Sequence, residues 1–188
     1  MLIFIAGHGD VLPETGEGFL VANGSLKRRD DPALQSCLSH SRVREIVERL
    51  PCKHILVILD VCFAGKFNFE PDFNLGAQLR GTPLKGPAKK VSKSEFIRRK
   101  LGHNCRRYLA SCGEFVPASD GSGEHSPFAQ ELLDLLNQGG GHNGVLTSQE
   151  ILDAVLDSPS PPSFGTLKGH QDGGDLLFIN KDVATATQ

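Results

Sequence analysis

Two apolar runs, each followed by small and polar residues, decide the fold: residues 1–10 read MLIFIAGHGD and residues 54–65 read HILVILDVCFAG. An unbroken apolar run of about six residues is short for a core helix and is typical of a β-strand buried on both faces. The sequence therefore predicts strands over Met1–Ala6 and His54–Leu59, with a glycine-rich turn at Gly7–Asp10.

A helix is predicted between these two strands. Apolar residues recur at helical spacing within Cys37–Leu50, and Ser36 or Ser39 is suited to cap the amino end. A strand, a helix and a second strand form a crossover that makes the two strands parallel neighbours. Since parallel strands end at the same edge of a sheet, where ligands bind in such folds, we expect His8 and Cys62 to lie near each other.

The rest of the chain continues the alternation of strands and helices. A third strand is predicted over Arg107–Ser111, helices are predicted after Ser126-Pro127 and after the capping box Thr147–Glu150, and a last strand is predicted over Gly174–Ile179. This pattern predicts an α/β fold with parallel strand pairs.

One domain is expected over residues 1–180. Within it, Lys66–Lys93 is rich in Asn, Pro, Gly and Lys without an apolar period, which predicts a flexible loop. Residues 181–188 are predicted to be a disordered tail. The loop carries basic residues at which self-cleavage, or cleavage by an activating protease, is a hypothesis: Arg80, Lys85, Lys89 and Lys90.

Composition narrows the function classes. The chain has 188 residues with 20 Lys+Arg against 22 Asp+Glu, a net charge of -2, so it lacks the basic surplus that neutralises nucleic-acid phosphates. Neither apolar run approaches the roughly 20 residues that span a bilayer, and no export signal is evident, so no membrane partner is expected. Five cysteines without a CxxC pair favour reduced thiols and a cytoplasmic location.

A cysteine beside a histidine supplies the parts for acyl transfer. The imidazole takes the thiol proton, the thiolate attacks a carbonyl, and the imidazolium then protonates the leaving amine. The backbone N–H groups of Gly9 and Cys62 are candidates for the oxyanion hole, because a glycine has no Cβ to obstruct approach to a substrate. Two alternatives remain: either side chain is structural, or Cys62, His8 and Asp10 bind a metal ion.

An ordered series of motifs resembles the caspase-like clan of cysteine peptidases, in particular prokaryotic caspases, metacaspases and paracaspases. The spacing between His8 and Cys62 is similar to that of the caspase signature, although Asp60-Val61-Cys62 stands in place of Gln-Ala-Cys. The similarity covers nearly all of residues 1–179. Its further segments are Arg106–Glu114, Ala118–Asp120, His125–Phe128 and Gly174–Phe178.

The resemblance implies a caspase-like α/β/α sandwich with a mostly parallel central sheet. It makes Cys62 the nucleophile, His8 the general acid and base, and the amides of Gly9 and Cys62 the oxyanion donors. It also implies that Asp60 lines an acidic pocket for a basic side chain, because a carboxylate in a desolvated pocket selects Arg or Lys. The remaining residues implied for the substrate pocket are Ser111, Glu114, Asp120 and Ala6.

The chain departs from the family pattern at two points. The family has a Ser two residues before the catalytic His, whereas this chain has Ala6, which removes one hydroxyl from the pocket. The family fold also begins with at least one strand and a helix before the His strand, so we expect these elements to be missing here, with an upstream segment or chain as a regulatory partner. Calcium orders an acidic loop in some metacaspases, but no EF-hand spacing is present, so no metal or cofactor is expected.

The leading hypothesis is a cysteine endopeptidase that cleaves protein substrates after Arg or Lys through a thioester acyl-enzyme. Regulated proteolysis such as bacterial defence or cell death is the expected role, with a zymogen that loop rearrangement activates. Two alternatives stay open. One is a catalytically silent caspase-like scaffold that binds a partner, and the other is a thiol hydrolase acting on small amides.

Overall fold

The computed structural model describes residues 1–67, 91–112, 124–139, 144–156 and 162–180. These residues form strands and helices in an α/β arrangement. The strands are β1 (Leu2–Leu12), β2 (Glu17–Val21), β3 (Leu38–Ser39), β4 (His54–Val61), β5 (Cys105–Ala110), β6 (Val145–Thr147), β7 (Ser163–Thr166) and β8 (Leu177–Ile179). The helices are α1 (His40–Arg49), α2 (Lys93–Gly102), α3 (Pro127–Asn137) and α4 (Ser148–Val155), with a 3₁₀ turn at Ala64–Phe67.

The central sheet has six strands in the order β3-β2-β1-β4-β5-β7. Its middle is parallel, because β1 pairs with β4 and β4 with β5 in the same direction. The other three pairings are antiparallel, so the sheet is mixed and the prediction of a mostly parallel sheet is wrong. For β1 and β2 the reason is local: only four residues separate these strands, and a connection that short joins strands as a hairpin.

Strand β1 is longer than its apolar run. Its first part, Leu2–Gly7, pairs with β4, and its second part, His8–Leu12, pairs with β2. The predicted turn at Gly7–Asp10 is therefore wrong, because antiparallel pairing with β2 keeps these residues extended. His8 consequently lies where β1 passes from one partner strand to the other.

The two faces of the sheet bury separate apolar cores. On one face, side chains of β4 and β5 pack with Val43 and Val47 of α1. On the other face, they pack with α3 and α4, which supply residues such as Leu132 and Ile151. Helices α3 and α4 do not cover β1, where Leu2 and Phe4 are each 44% exposed.

Helix boundaries follow their capping residues. Ser39 and Ser126 accept hydrogen bonds at the amino ends of α1 and α3, and Thr147 forms the predicted capping box with Glu150. Helix α2 was not predicted, and it buries none of its residues. The predicted last strand is confirmed at Leu177–Ile179, although it pairs with β6 in a separate two-stranded sheet. Among the described residues, no helix has the length and apolar character needed to cross a bilayer.

Candidate active site at the carboxyl edge of the sheet

Three predicted pocket residues form a row across the carboxyl edge of the parallel strands. Ala6 of β1 is the register partner of Asp60 in β4. Ser111 comes next on the β5 side, since its N–H donates to the Leu59 carbonyl at 2.8 Å, one residue beyond the last pair of that ladder. Three segments that lie far apart in the sequence therefore meet here, which is the usual position of ligand sites in such sheets.

His8 lies two residues after Ala6, and Cys62 lies two residues after Asp60. The parallel ladder ends with Gly7 opposite Val61, so His8 and Cys62 are the next residues of the two chain segments. The backbones remain in close contact beyond the ladder, because a Cβ added at Gly9 would overlap the Cys62 carbonyl oxygen. Only glycine fits at position 9, and it keeps the His8 and Cys62 segments adjacent.

The chain turns sharply directly after Cys62. Phe63 has a φ of 59°, in the left-handed region that a bulky residue occupies at a cost of about 1 kcal/mol or more. The turn leads from β4 into the 3₁₀ turn Ala64–Phe67 and leaves Cys62 half-buried at the strand end. A strained turn at a nucleophile is common at functional sites, where it projects the side chain from the edge of a sheet.

A second thiol, that of Cys112, packs against this turn. Cys112 is fully buried, and its S–H donates to the Val61 carbonyl at 3.3 Å. Burial raises the pKa of Cys112, while backbone N–H groups of the turn, beginning with that of Ala64, oppose the shift. A thiol with a raised pKa stays protonated and inert, so Cys112 packs the turn and leaves Cys62 as the accessible thiol of this edge.

The imidazole of His8 is exposed, and no described residue forms a hydrogen bond with it. Asp10, two residues further along β1, is engaged elsewhere: its Oδ1 accepts from Arg28 Nη1 at 2.7 Å. Within the described residues, therefore, no carboxylate orients the His8 imidazole.

Asp60 is buried, with 9% of its surface exposed. Its Oδ2 accepts a hydrogen bond of 2.6 Å from the Ser126 hydroxyl, at the amino end of α3. The salt bridges among the described residues include none to Asp60. Among the described residues, this buried carboxylate is therefore compensated by a neutral hydroxyl and not by a cation, an arrangement compatible with a positively charged ligand.

The hydroxyl of Ser111 adds a second polar group to the row. Ser111 is 2% exposed, and its Oγ has no hydrogen-bond partner among the described residues. Buried hydroxyls usually have a partner, and an exception calls for an explanation such as a bound group. A ligand amine or guanidinium at Asp60 would bring donors to this oxygen as well.

The other predicted pocket acids, Glu114 and Asp120, lie outside the described residues, as does most of the predicted loop at Lys66–Lys93. Among the described residues, no three His, Cys, Asp or Glu side chains form a group suited to a metal ion. Sequence reasoning identified Ser126 as a helix start and missed its bond to Asp60. The two residues are 66 positions apart in the sequence, so no local signal marks that contact.

The described edge contains the half-buried thiol of Cys62, the exposed imidazole of His8 on the neighbouring segment, glycine backbone close to Cys62, and a buried carboxylate without a described cation. These residue types are compatible with nucleophilic acyl transfer. Comparison with known proteins gives no match, either with a protein-family model or with a curated protein.

Proposed function

We propose that this protein is a cysteine endopeptidase with a caspase-like fold that cleaves protein substrates after Arg or Lys. The observation that carries the proposal is the juxtaposition of His8 with Cys62, two residues beyond Asp60, a buried carboxylate without a described cation. A dyad alone is compatible with many acyl transfers. The adjacent acid is what favours a basic side chain before the cleaved bond.

In the proposed reaction, His8 accepts the proton of the Cys62 thiol, and the sulfur bonds to the carbonyl carbon of the substrate. The oxygen of the tetrahedral intermediate accepts hydrogen bonds from the N–H groups of Gly9 and Cys62. Collapse breaks the C–N bond, and the imidazolium gives its proton to the departing amine, leaving a thioester. Water then attacks the thioester with His8 as base, which releases the acid and restores the thiol.

The substrate's basic side chain would occupy the row formed by Ala6, Asp60 and Ser111. Its cation faces the Asp60 carboxylate, and one of its N–H groups reaches the Ser111 hydroxyl. Since Ala6 contributes no hydroxyl, this side of the pocket depends on packing alone. Glu114 and Asp120 remain further candidates for the pocket.

The test compares the protein with its Cys62→Ala and His8→Ala variants on fluorogenic peptides that differ only in the residue before the cut: Arg, Lys, Asp or Ala. We expect cleavage after Arg and Lys, falling about a thousandfold or more in either variant. Cys37→Ala is the matched control, because Cys37 is also a half-buried free thiol and lies outside the site.

Other outcomes would point elsewhere. Cleavage after Asp would retain the peptidase and overturn the basic pocket. Turnover of small amides without peptide cleavage would favour the thiol hydrolase. Absence of any cleavage, with and without calcium and after limited digestion by a second protease, would favour the silent scaffold.

A further inference from the structure

The Asp60 carboxylate is held by one described residue, Ser126, whose hydroxyl is only 2.6 Å from Oδ2. The other oxygen, Oδ1, accepts no hydrogen bond from a described residue. A carboxylate turns easily about its terminal torsion unless a neighbour fixes it. The Ser126 bond therefore determines which oxygen of Asp60 remains available to a ligand.

The Ser126 hydroxyl is itself fixed in direction. Its oxygen accepts the Ala129 N–H at 3.0 Å as the amino-terminal cap of α3, so its single proton is directed to Asp60. The cap also brings the positive end of the helix dipole close to the carboxylate. Pro127 at the first helical position has no N–H that would compete for the acid.

The other capping hydroxyls in the described helices do not act in this way. Ser39 and Ser92 accept from their own helices and donate to no carboxylate, and Thr147 donates to Glu150 of its own helix. The bond from Ser126 crosses between two elements, α3 and β4. Capping alone does not require it, because a cap needs only the oxygen as an acceptor.

We propose that Ser126 is a positioning residue for substrate specificity: it holds Asp60 Oδ2 and thereby leaves Oδ1 directed at the cation of a basic substrate side chain. This inference rests on the proposed function, since it assigns Asp60 to the binding of that side chain. Ser126 acts on binding of the basic residue and takes no part in the chemistry at Cys62. Its loss should therefore raise KM more than it lowers kcat.

The variants Ser126→Gly and Ser126→Thr separate positioning from capping. Glycine is a tolerated cap that lowers helix stability only slightly, but it has no hydroxyl, whereas threonine keeps both the cap and the donor. For an Arg peptide we expect Ser126→Gly to raise KM about tenfold with kcat within about twofold, and Ser126→Thr to restore KM to within about threefold. Ser92→Gly is the matched control, since it removes a capping serine that has no carboxylate partner, and it should leave both constants unchanged.

A second readout does not depend on cleavage. Binding of Nα-acetyl-arginine amide, followed by calorimetry, should weaken about tenfold in Ser126→Gly and recover in Ser126→Thr. That result supports the inference even if no peptide is cleaved, so a failure of the peptidase proposal stays distinguishable. Equal KM and equal amide binding in wild type and Ser126→Gly would overturn the role of Ser126 while leaving the peptidase intact. Lack of amide binding by the wild type, or a Ser92→Gly effect as large as that of Ser126→Gly, would also overturn it.

Discussion

Two buried aspartates, Asp60 and Asp175, lie in similar surroundings and differ in one respect. Each is hydrogen-bonded by a serine at the start of a helix, Ser126 for Asp60 and Ser148 for Asp175. Asp175, 1% exposed, also has Lys100 Nζ at 3.4 Å and Arg107 Nη1 at 3.8 Å. Asp60 has no cation among the described residues.

Under the proposed function, this difference separates a structural acid, Asp175, from a substrate-binding acid, Asp60. Lys100 and Arg107 neutralise Asp175. This carboxylate thereby links α2 and β5 to the amino end of α4. Asp60 is also buried, is hydrogen-bonded by Ser126 without a described cation, and lies two residues before the proposed nucleophile. A buried charge that the fold does not neutralise is most readily explained by a ligand that does.

The largest effect on stability is expected for Asp175→Asn. The amide still accepts from Ser148, but Lys100 and Arg107 then face each other without an anion. We expect a loss of about 3–5 kcal/mol in the free energy of unfolding, measured by urea denaturation. Asp172→Asn, at an exposed position nearby, is the control and should change stability by less than about 0.5 kcal/mol. A loss below about 1 kcal/mol for Asp175→Asn would remove the distinction between the two acids.

The second effect concerns His40, a buried titratable group. His40 is 1% exposed, and Gly18 lies so close that a Cβ there would overlap the imidazole. Burial lowers the pKa of His40 from 6.5 to about 4. The unfolded chain then binds a proton below pH 6.5 that the folded protein does not bind until about pH 4. The contribution of His40 to the free energy of unfolding is therefore fully present above pH 6.5, and about 3 kcal/mol of it is lost as the pH falls to 4.

Urea denaturation from pH 7 to pH 4 measures this loss. His40→Leu should flatten the pH dependence in that window, whatever its effect at pH 7. His170 contributes in the same direction, since burial and then Arg107 lower its pKa, so His170→Gln is the matched comparison. If His40→Leu and the wild type lose stability in parallel, the buried imidazole is not the cause.

A smaller effect is expected for Lys100→Met, which tests the cation side of the Asp175 cluster. Lys100 is 28% exposed and Arg107 stays in place, so we expect a loss of about 1 kcal/mol. A double-mutant cycle with Asp175→Asn should give a coupling energy of at least about 0.5 kcal/mol. Arg98→Met removes an ion pair whose Arg is 79% exposed, and it should be near neutral. Zero coupling would show that Arg107 alone compensates Asp175.

Much of the sheet was predictable because its signals are local. The apolar run at His54–Leu59 marked β4, and the capping box at Thr147 marked α4. The extension of β1 through Gly7–Asp10 was not predictable, because glycines read as a turn while pairing with β2 keeps them extended. The sequence predicted that Cys62 and His8 would lie at one edge, since connection rules fix where parallel strands end.

The contacts of the two aspartates could not be predicted in the same way. Asp175 lies within a segment that sequence reasoning assigned to the last strand, and its cation Lys100 is 75 residues away. Asp60 was assigned to a pocket by resemblance alone, and the serine that holds it is 66 residues away. No periodicity or spacing rule joins such pairs, because tertiary packing alone brings them together.

The smallest effect on stability is expected for Asp60→Asn. The amide oxygen still accepts from Ser126, and the substitution removes a buried charge that has no described cation. The free energy of unfolding should therefore change by less than about 1 kcal/mol, or rise, as is common when a site residue is replaced. Cleavage after Arg and Lys should fall at least about a hundredfold relative to cleavage after Ala in the same peptide panel. If Asp60→Asn instead destabilises the protein as much as Asp175→Asn and leaves the Arg to Ala ratio unchanged, Asp60 is a structural acid like Asp175, and the basic pocket must lie elsewhere.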